Sequence, residues 1–174
     1  MAYIVDSRWR ALIAAQEILE QVCSFGSSAA DDNDDFRVFC DRSIALHDPV
    51  CEFADPVLTT EELRHNVSSS SAPWIAICRD LAIDAKHIAP RHRDWAQDPH
   101  LVVTRTSKQW QPVPKSPLVR RPRSEWPSLT IHKWTVTHKA PASGDPNDYD
   151  GLELSRSTIA QWRMILPKLG IAVP

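Results

Sequence analysis

The chain has 174 residues, 43 % hydrophobic and 24 % charged, a composition that predicts a single soluble domain able to bury a core without disulfide staples. No apolar run approaches the roughly 18 residues that a membrane span needs. The opening MAYIVDSRWRALIAAQ lacks the basic start, apolar centre and small-residue cleavage site of a secretory leader, so a cytoplasmic protein with no membrane partner is expected. The formal net charge is only −2, yet it is segregated: 4 Lys and Arg stand against 13 Asp and Glu in residues 1–63, 13 against 5 in 64–139, and 3 against 4 in 140–174.

In chain order the first half reads as helices. Asp6 or Ser7 can cap a helix that begins near Arg8, since a side-chain oxygen there satisfies a free backbone N–H. Trp9, Leu12, Ile13, Gln16, Leu19 and Cys23 continue it at helical spacing, and Gly26 suits its end. An acidic linker, SSAADDNDD over 27–35, leads into a second helix over 35–48. Its inward stripe is Phe36, Phe39, Cys40, Ile44 and His47, and Pro49 is the expected stop. Thr59 and Glu62 have capping-box spacing for a short helix over 60–67. Pro73 suits a first helical turn, and a further helix is predicted from Trp74 to about Ile88, with Ile75, Cys78, Leu81, Ala82 and Ala85 inward.

The second half changes period. Residues 100–110 and 128–140 alternate in part and carry β-branched side chains, which predicts two strands. The piece between them, which includes KSPLVRRPRSEWP, is proline-rich and basic. Its Lys115, Arg120, Arg121 and Arg123 near tryptophans suit phosphate contacts and base stacking. His132 and His138 share one strand face, expected to meet solvent. A short strand at the start of LELS and a closing helix over 155–166, capped by Ser155 or Ser157 and ended by Pro167, complete the reading. The fold class is therefore α+β: a bundle of roughly four helices over 1–90, a small antiparallel sheet over 100–154, and the closing helix.

The densest chemistry is RDLAIDAKH at 79–87. At about 100° per residue, Asp80, Asp84 and His87 fall within about 60° of one another on one helix edge. Three readings are open: a polar edge that pairs with neighbouring helices, an acid–base or phosphate-binding edge with His87 titrating near neutral pH, or part of a metal site completed elsewhere, for example by His92. Two stretches, RSIALH at 42–47 and RDLAIDAKH at 79–87, each set an arginine, a polar follower and a later histidine on one helix. In this they resemble the HEPN superfamily of small helical bundles, many of which are RNA-cleaving toxins, defence nucleases or nucleotide-binding partners. The resemblance implies a metal-independent ribonuclease with no cofactor. Arg79 or Arg42 would stabilise the phosphate, and His87 or His47 would move the proton, beside Asp80 and Asp84. It also implies RNA or a nucleotide as partner and a site completed by dimerisation.

The competing reading is a non-catalytic interaction or assembly module, in which segregated charge and exposed tryptophans form a surface for a protein partner or a second copy. Other chemistries find little support. Four cysteines at 23, 40, 51 and 78 form no CxxC pair, and Cys23, Cys40 and Cys78 read as small buried hydrophobes. The serines at 68–71 lack the glycines of a nucleophile elbow. Only four glycines stand beside fourteen prolines, too few for a phosphate-cradling loop. Asn66-Val67-Ser68 would accept a glycan only in a secreted protein.

Overall fold

The computed structural model describes residues 2–28, 34–53, 74–84, 101–110, 128–138, 147–168 and 170–172. The helix expected over 60–67, the continuation of the third helix past residue 84 and the basic piece around 115–127 lie outside them. The described chain runs α1 (Ala2–Ser24), β1 (Ser27–Ser28), α2 (Asp35–Phe53), α3 (Trp74–Asp84), β2 (Leu101–Trp110), β3 (Leu129–His138), β4 (Asp148–Asp150) and α4 (Gly151–Lys168). This is the expected α+β architecture, with a helical layer, a small antiparallel sheet and a C-terminal helix.

Of the stripe expected on α1, Trp9, Leu12 and Leu19 are buried and Ile13, Gln16 and Cys23 are partly so, while Ala15 and Val22 complete the buried face. The helix starts at Ala2 rather than near Arg8, so Asp6 is no cap. It lies one turn inside, where its carboxylate pairs with Arg10 at 2.9 Å, an i,i+4 contact that supports the helix by a few tenths of a kcal/mol. Gly26 ends the run with φ +85, its N–H reaching the Gln21 carbonyl. A side chain there would meet the Thr130 carbonyl oxygen at 3.0 Å, so this tight approach also lets Ser27–Ser28 pair with Leu129 and Thr130 of β3.

Asp34 caps α2, its Oδ1 accepting the Arg37 N–H at 3.3 Å. Contrary to the expected stop, α2 continues through Pro49 to Phe53. Proline has no N–H to give the Ala45 carbonyl, but Leu46, His47 and Val50 are all buried. Tertiary burial on both sides of the proline outweighs its local penalty, because packing rather than propensity holds most protein helices.

β3 is the centre of a four-stranded antiparallel sheet ordered β1-β3-β2, with β4 also on β3. β2 pairs along all of β3, from Leu101 opposite His138 to Trp110 opposite Leu129. β1 and β4 share the other edge. The face of β3 that bears His132, Trp134 and Val136 is buried, whereas Lys133 on the opposite face is exposed. The histidine face thus points inward, the reverse of the expected orientation: Trp134 and Val136 need the helices more than His132 needs water, and His132 bonds Ser107 Oγ through Nδ1 at 2.8 Å.

The closing helix differs from expectation at both ends. The short strand precedes residue 151, and α4 runs from Gly151 to Lys168 with Pro167 inside its last turn. Asp150, not a serine, is the cap, its Oδ1 accepting the N–H groups of Leu152 and Glu153 at 3.0 and 3.2 Å. Ser155 is buried and its hydroxyl donates back to the Leu152 carbonyl. A Cβ at Gly151 would stand 2.8 Å from Trp134 Cβ, so only glycine lets the helix start this close to the sheet.

Burial acts to raise the Asp150 carboxyl, but the Glu153 N–H, the Lys133 ammonium and the Leu152 N–H outweigh it and hold the group below its ordinary value. A carboxyl lowered by folding stabilises the fold above its unfolded pKa, and the contribution fades as pH falls through the folded one. Asp150→Ala should cost about 1 kcal/mol at neutral pH, read as a shifted urea midpoint. Asp150→Asn keeps a capping oxygen and should flatten the acid-side slope of stability against pH.

Candidate functional site

The inner face of β2 extends past the helical layer. Register places Val103, Arg105 and Ser107 opposite Val136, Trp134 and His132, on the same face as the buried side of β3. Yet every β2 residue from Val102 to Gln109 is exposed, on both faces, and Val102 and Val103 are each 37 % accessible. Among the described residues the helices cover β3 and stop short of β2.

This overhang leaves a cleft of about 420 Å³ between β2 and the helices. Phe36, Arg37 and Cys40 of α2 form one wall, Leu101, Val103 and Arg105 of β2 the other, and Leu81 of α3 and Trp134 of β3 complete it. Phe36 stacks on Trp134 with ring centroids 6.4 Å apart, which makes a rigid aromatic base. Asp34, also at the cleft, is engaged at the α2 cap. Trp134 Nε1 is buried with no hydrogen-bond partner among the described residues.

The helix edge singled out in the sequence lies elsewhere. Arg79 and Asp80 sit on α3 at 9 % and 8 % exposure, and neither lines the cleft. Arg79 Nε donates to Asp80 Oδ1 at 2.7 Å, and a second guanidinium nitrogen lies 2.7 Å from the same oxygen. The two charges neutralise one another beneath the surface. Asp84 closes the helix backbone, but its side chain, His87 and His92 lie outside the described residues, as do Lys115, Arg120, Arg121 and Arg123. The other arginine–histidine pair diverges: Arg42 is exposed while His47 is buried on the core side of α2. Ser43, the polar follower, accepts a hydrogen bond from Trp162 Nε1 at 3.1 Å, a packing role.

α3 is pinned rather than open. Its Ile75 N–H, which has no partner within the helix, donates to Gln161 Oε1 of α4 at 3.0 Å. Cys78 Sγ lies 3.4 Å from Thr158 Oγ1. Cys40 and Cys78 are fully buried; burial, reinforced by the Cys78 hydrogen bond, pushes the Cys40 thiol well up. Cys23 is half-buried, and burial first, then the Asp150 carboxylate, raises it to about 11. Thiols held in the neutral form are poor nucleophiles, so Cys23 and Cys40 serve packing. Among the described residues no three His, Cys, Asp or Glu side chains gather to hold a metal ion, and no helix is long and apolar enough to cross a membrane.

The chain matches no family model, no curated protein and no solved structure.

Sequence reasoning missed the cleft because Phe36 and Trp134 look like core residues, which they also are. One signal was present. β2 carries a cation on each face, Arg105 on one and Lys108 on the other. A strand charged on both faces has no face fully in a core.

Proposed function

We propose that this chain is a non-catalytic protein-interaction module that accepts an extended, acidic segment of a partner protein as an added strand beside β2. One observation carries the reading: a ten-residue strand that has no partner on its outer side among the described residues and is exposed on both faces from Val102 to Gln109. Such an edge presents unpaired backbone donors and acceptors to any passing strand. Natural proteins guard such edges with charge, and β2 has Arg105 and Lys108 with no acid between Leu101 and Trp110. The two cations repel a second copy of the same strand and attract a partner strand with carboxylates. Backbone hydrogen bonds would give affinity, and alternate side chains selectivity, as in other strand-addition complexes. The mutual neutralisation of Arg79 and Asp80 under the surface also supports a binding role over phosphate chemistry at that edge.

A synthetic decapeptide that alternates valine and glutamate, labelled for fluorescence anisotropy, tests the reading. It should bind with an affinity that weakens with salt, while the valine–lysine version should not. Arg105→Glu with Lys108→Glu should reverse that preference, and β2 amides should gain hydrogen-exchange protection on binding. Binding without β2 protection, or none by either peptide, would refute strand addition.

A further inference from the structure

We infer that two copies of this chain associate through α1, side by side and antiparallel, about a twofold axis near Ala14. The contact is independent of strand addition, because it uses α1 and leaves β2 free.

A surface helix needs one apolar stripe, and α1 already commits Val5, Trp9, Leu12, Ala15, Leu19 and Val22 to the core. A second stripe runs beside the first. Ile4, Ala11, Ile18 and Phe25 recur at steps of seven residues, with Ala14 between Ala11 and Ile18 on the same side. Each such step drifts only about 20° around a helix, so the four stay in line. Phe25 lies just past the helix end, but its N–H still reaches the Gln21 carbonyl at 2.8 Å, which keeps it in helical position. Ile4, Ile18 and Phe25 are 47 %, 50 % and 68 % exposed. Scattered apolar side chains are ordinary on a surface; a heptad line of them is the seam along which helices pair.

The charges beside the seam select the occupant and its direction. The first half of α1 holds Asp6, Arg8 and Arg10, and the second holds Glu17 and Glu20 with no cation. Arg10 and Glu17 stand one heptad apart, on the flank of the seam away from the core, and both are exposed. In a parallel pair each would meet its own kind. In an antiparallel pair centred between residues 13 and 14, Arg10 of each copy comes beside Glu17 of the other, and the opposed helix dipoles add to the attraction. Arg10 also holds Asp6 of its own helix at 2.9 Å, but a guanidinium has donors to spare. Glu20 is engaged by Arg156, whereas Glu17 has no ion pair with a described residue. The same centre interlocks the seam. Ile4 falls between Gln21 and Phe25 of the second copy, Ala11 between its Ala14 and Ile18, and Ile18 between its Ser7 and Ala11. The alanines at the middle let the two helix axes approach to about 8 Å.

Sedimentation equilibrium on the full chain at low salt, from about 10 μM to about 1 mM, should show a monomer–dimer equilibrium that is weak, because one helix face per copy makes a small interface. Ile4→Gln with Ile18→Gln changes two exposed positions to a good helix former. It should weaken the dimer by about tenfold or more, with circular dichroism and thermal unfolding unchanged. Glu17→Arg should weaken the dimer about threefold, and adding Arg10→Glu should restore it. In a parallel pair Glu17→Arg only exchanges one like-charge contact for another and has no such effect. A chain that stays monomeric at the highest concentration, or a dimer untouched by the isoleucine variant, overturns the interface. A dimer that is indifferent to Glu17→Arg, or is not restored by Arg10→Glu, overturns the antiparallel order.

Discussion

Trp162→Ala is expected to destabilise the protein by about 3–5 kcal/mol, the usual cost of deleting a buried tryptophan, and to approach the entire stability of an ordinary domain. Trp162 is fully buried on α4, and its Nε1 donates to Ser43 Oγ of α2 at 3.1 Å. Losing it opens a cavity where α2 and α4 meet and strands a buried hydroxyl. Phenylalanine separates the two losses. Trp162→Phe keeps much of the volume but leaves Ser43 without that donor, so it should cost clearly more than Trp134→Phe. The second change also deletes an indole N–H, but one that has no partner among the described residues, and removing a buried, unsatisfied donor recovers part of the packing loss. Urea unfolding monitored by circular dichroism checks both, with an unchanged m-value as the sign that stability alone has moved. If Trp134→Phe proves the costlier change, Trp134 Nε1 has a partner of its own.

The period of the sequence made most of the architecture legible. The stripes of α1 and α2, the two long strands and their antiparallel pairing all follow from where the apolar residues fall. What it hid were decisions taken between distant segments. Nothing near Pro49 says that Val50 will be buried and carry the helix onward. Two serines do not announce a strand; Ser27 and Ser28 form one because Gly26 turns the chain against β3. The orientation of β3 was misread because His132 and His138 are polar, while Trp134 and Val136, which share their face, decide which way it turns. The cap of α4 lies five residues before Ser155, the nearer of the two expected caps, since Asp150 belongs to β4 and to the helix end at once. The site followed the same pattern. The helix edge at 79–80 was visible because its charges are close in sequence. The cleft draws on α2, α3, β2 and β3, whose lining residues come together only once the sheet overhangs the helices.

Arg79 and Asp80 offer the sharpest test between binding and catalysis. Arg79→Met alone should cost about 3–5 kcal/mol, because it leaves a buried carboxylate without its nearest cation. The double variant Arg79→Met, Asp80→Leu removes both charges, replaces them with apolar groups of similar reach, and should cost clearly less than the sum of the two single changes, as buried pairs often do when exchanged as a unit. The difference between the variants is the non-additivity expected of two groups in direct contact. The folded double variant then serves in an RNA-cleavage assay with divalent metal chelated, beside the parent chain and His87→Ala. An interaction module should leave RNA intact in all three. If the parent cleaves RNA and the stable double variant does not, the guanidinium acts on a phosphate rather than on its neighbour, and the resemblance to the RNA-cleaving bundles becomes the better account of the chain. Recovery of stability without any change in RNA would confine the pair to the inside of the fold, where its geometry places it.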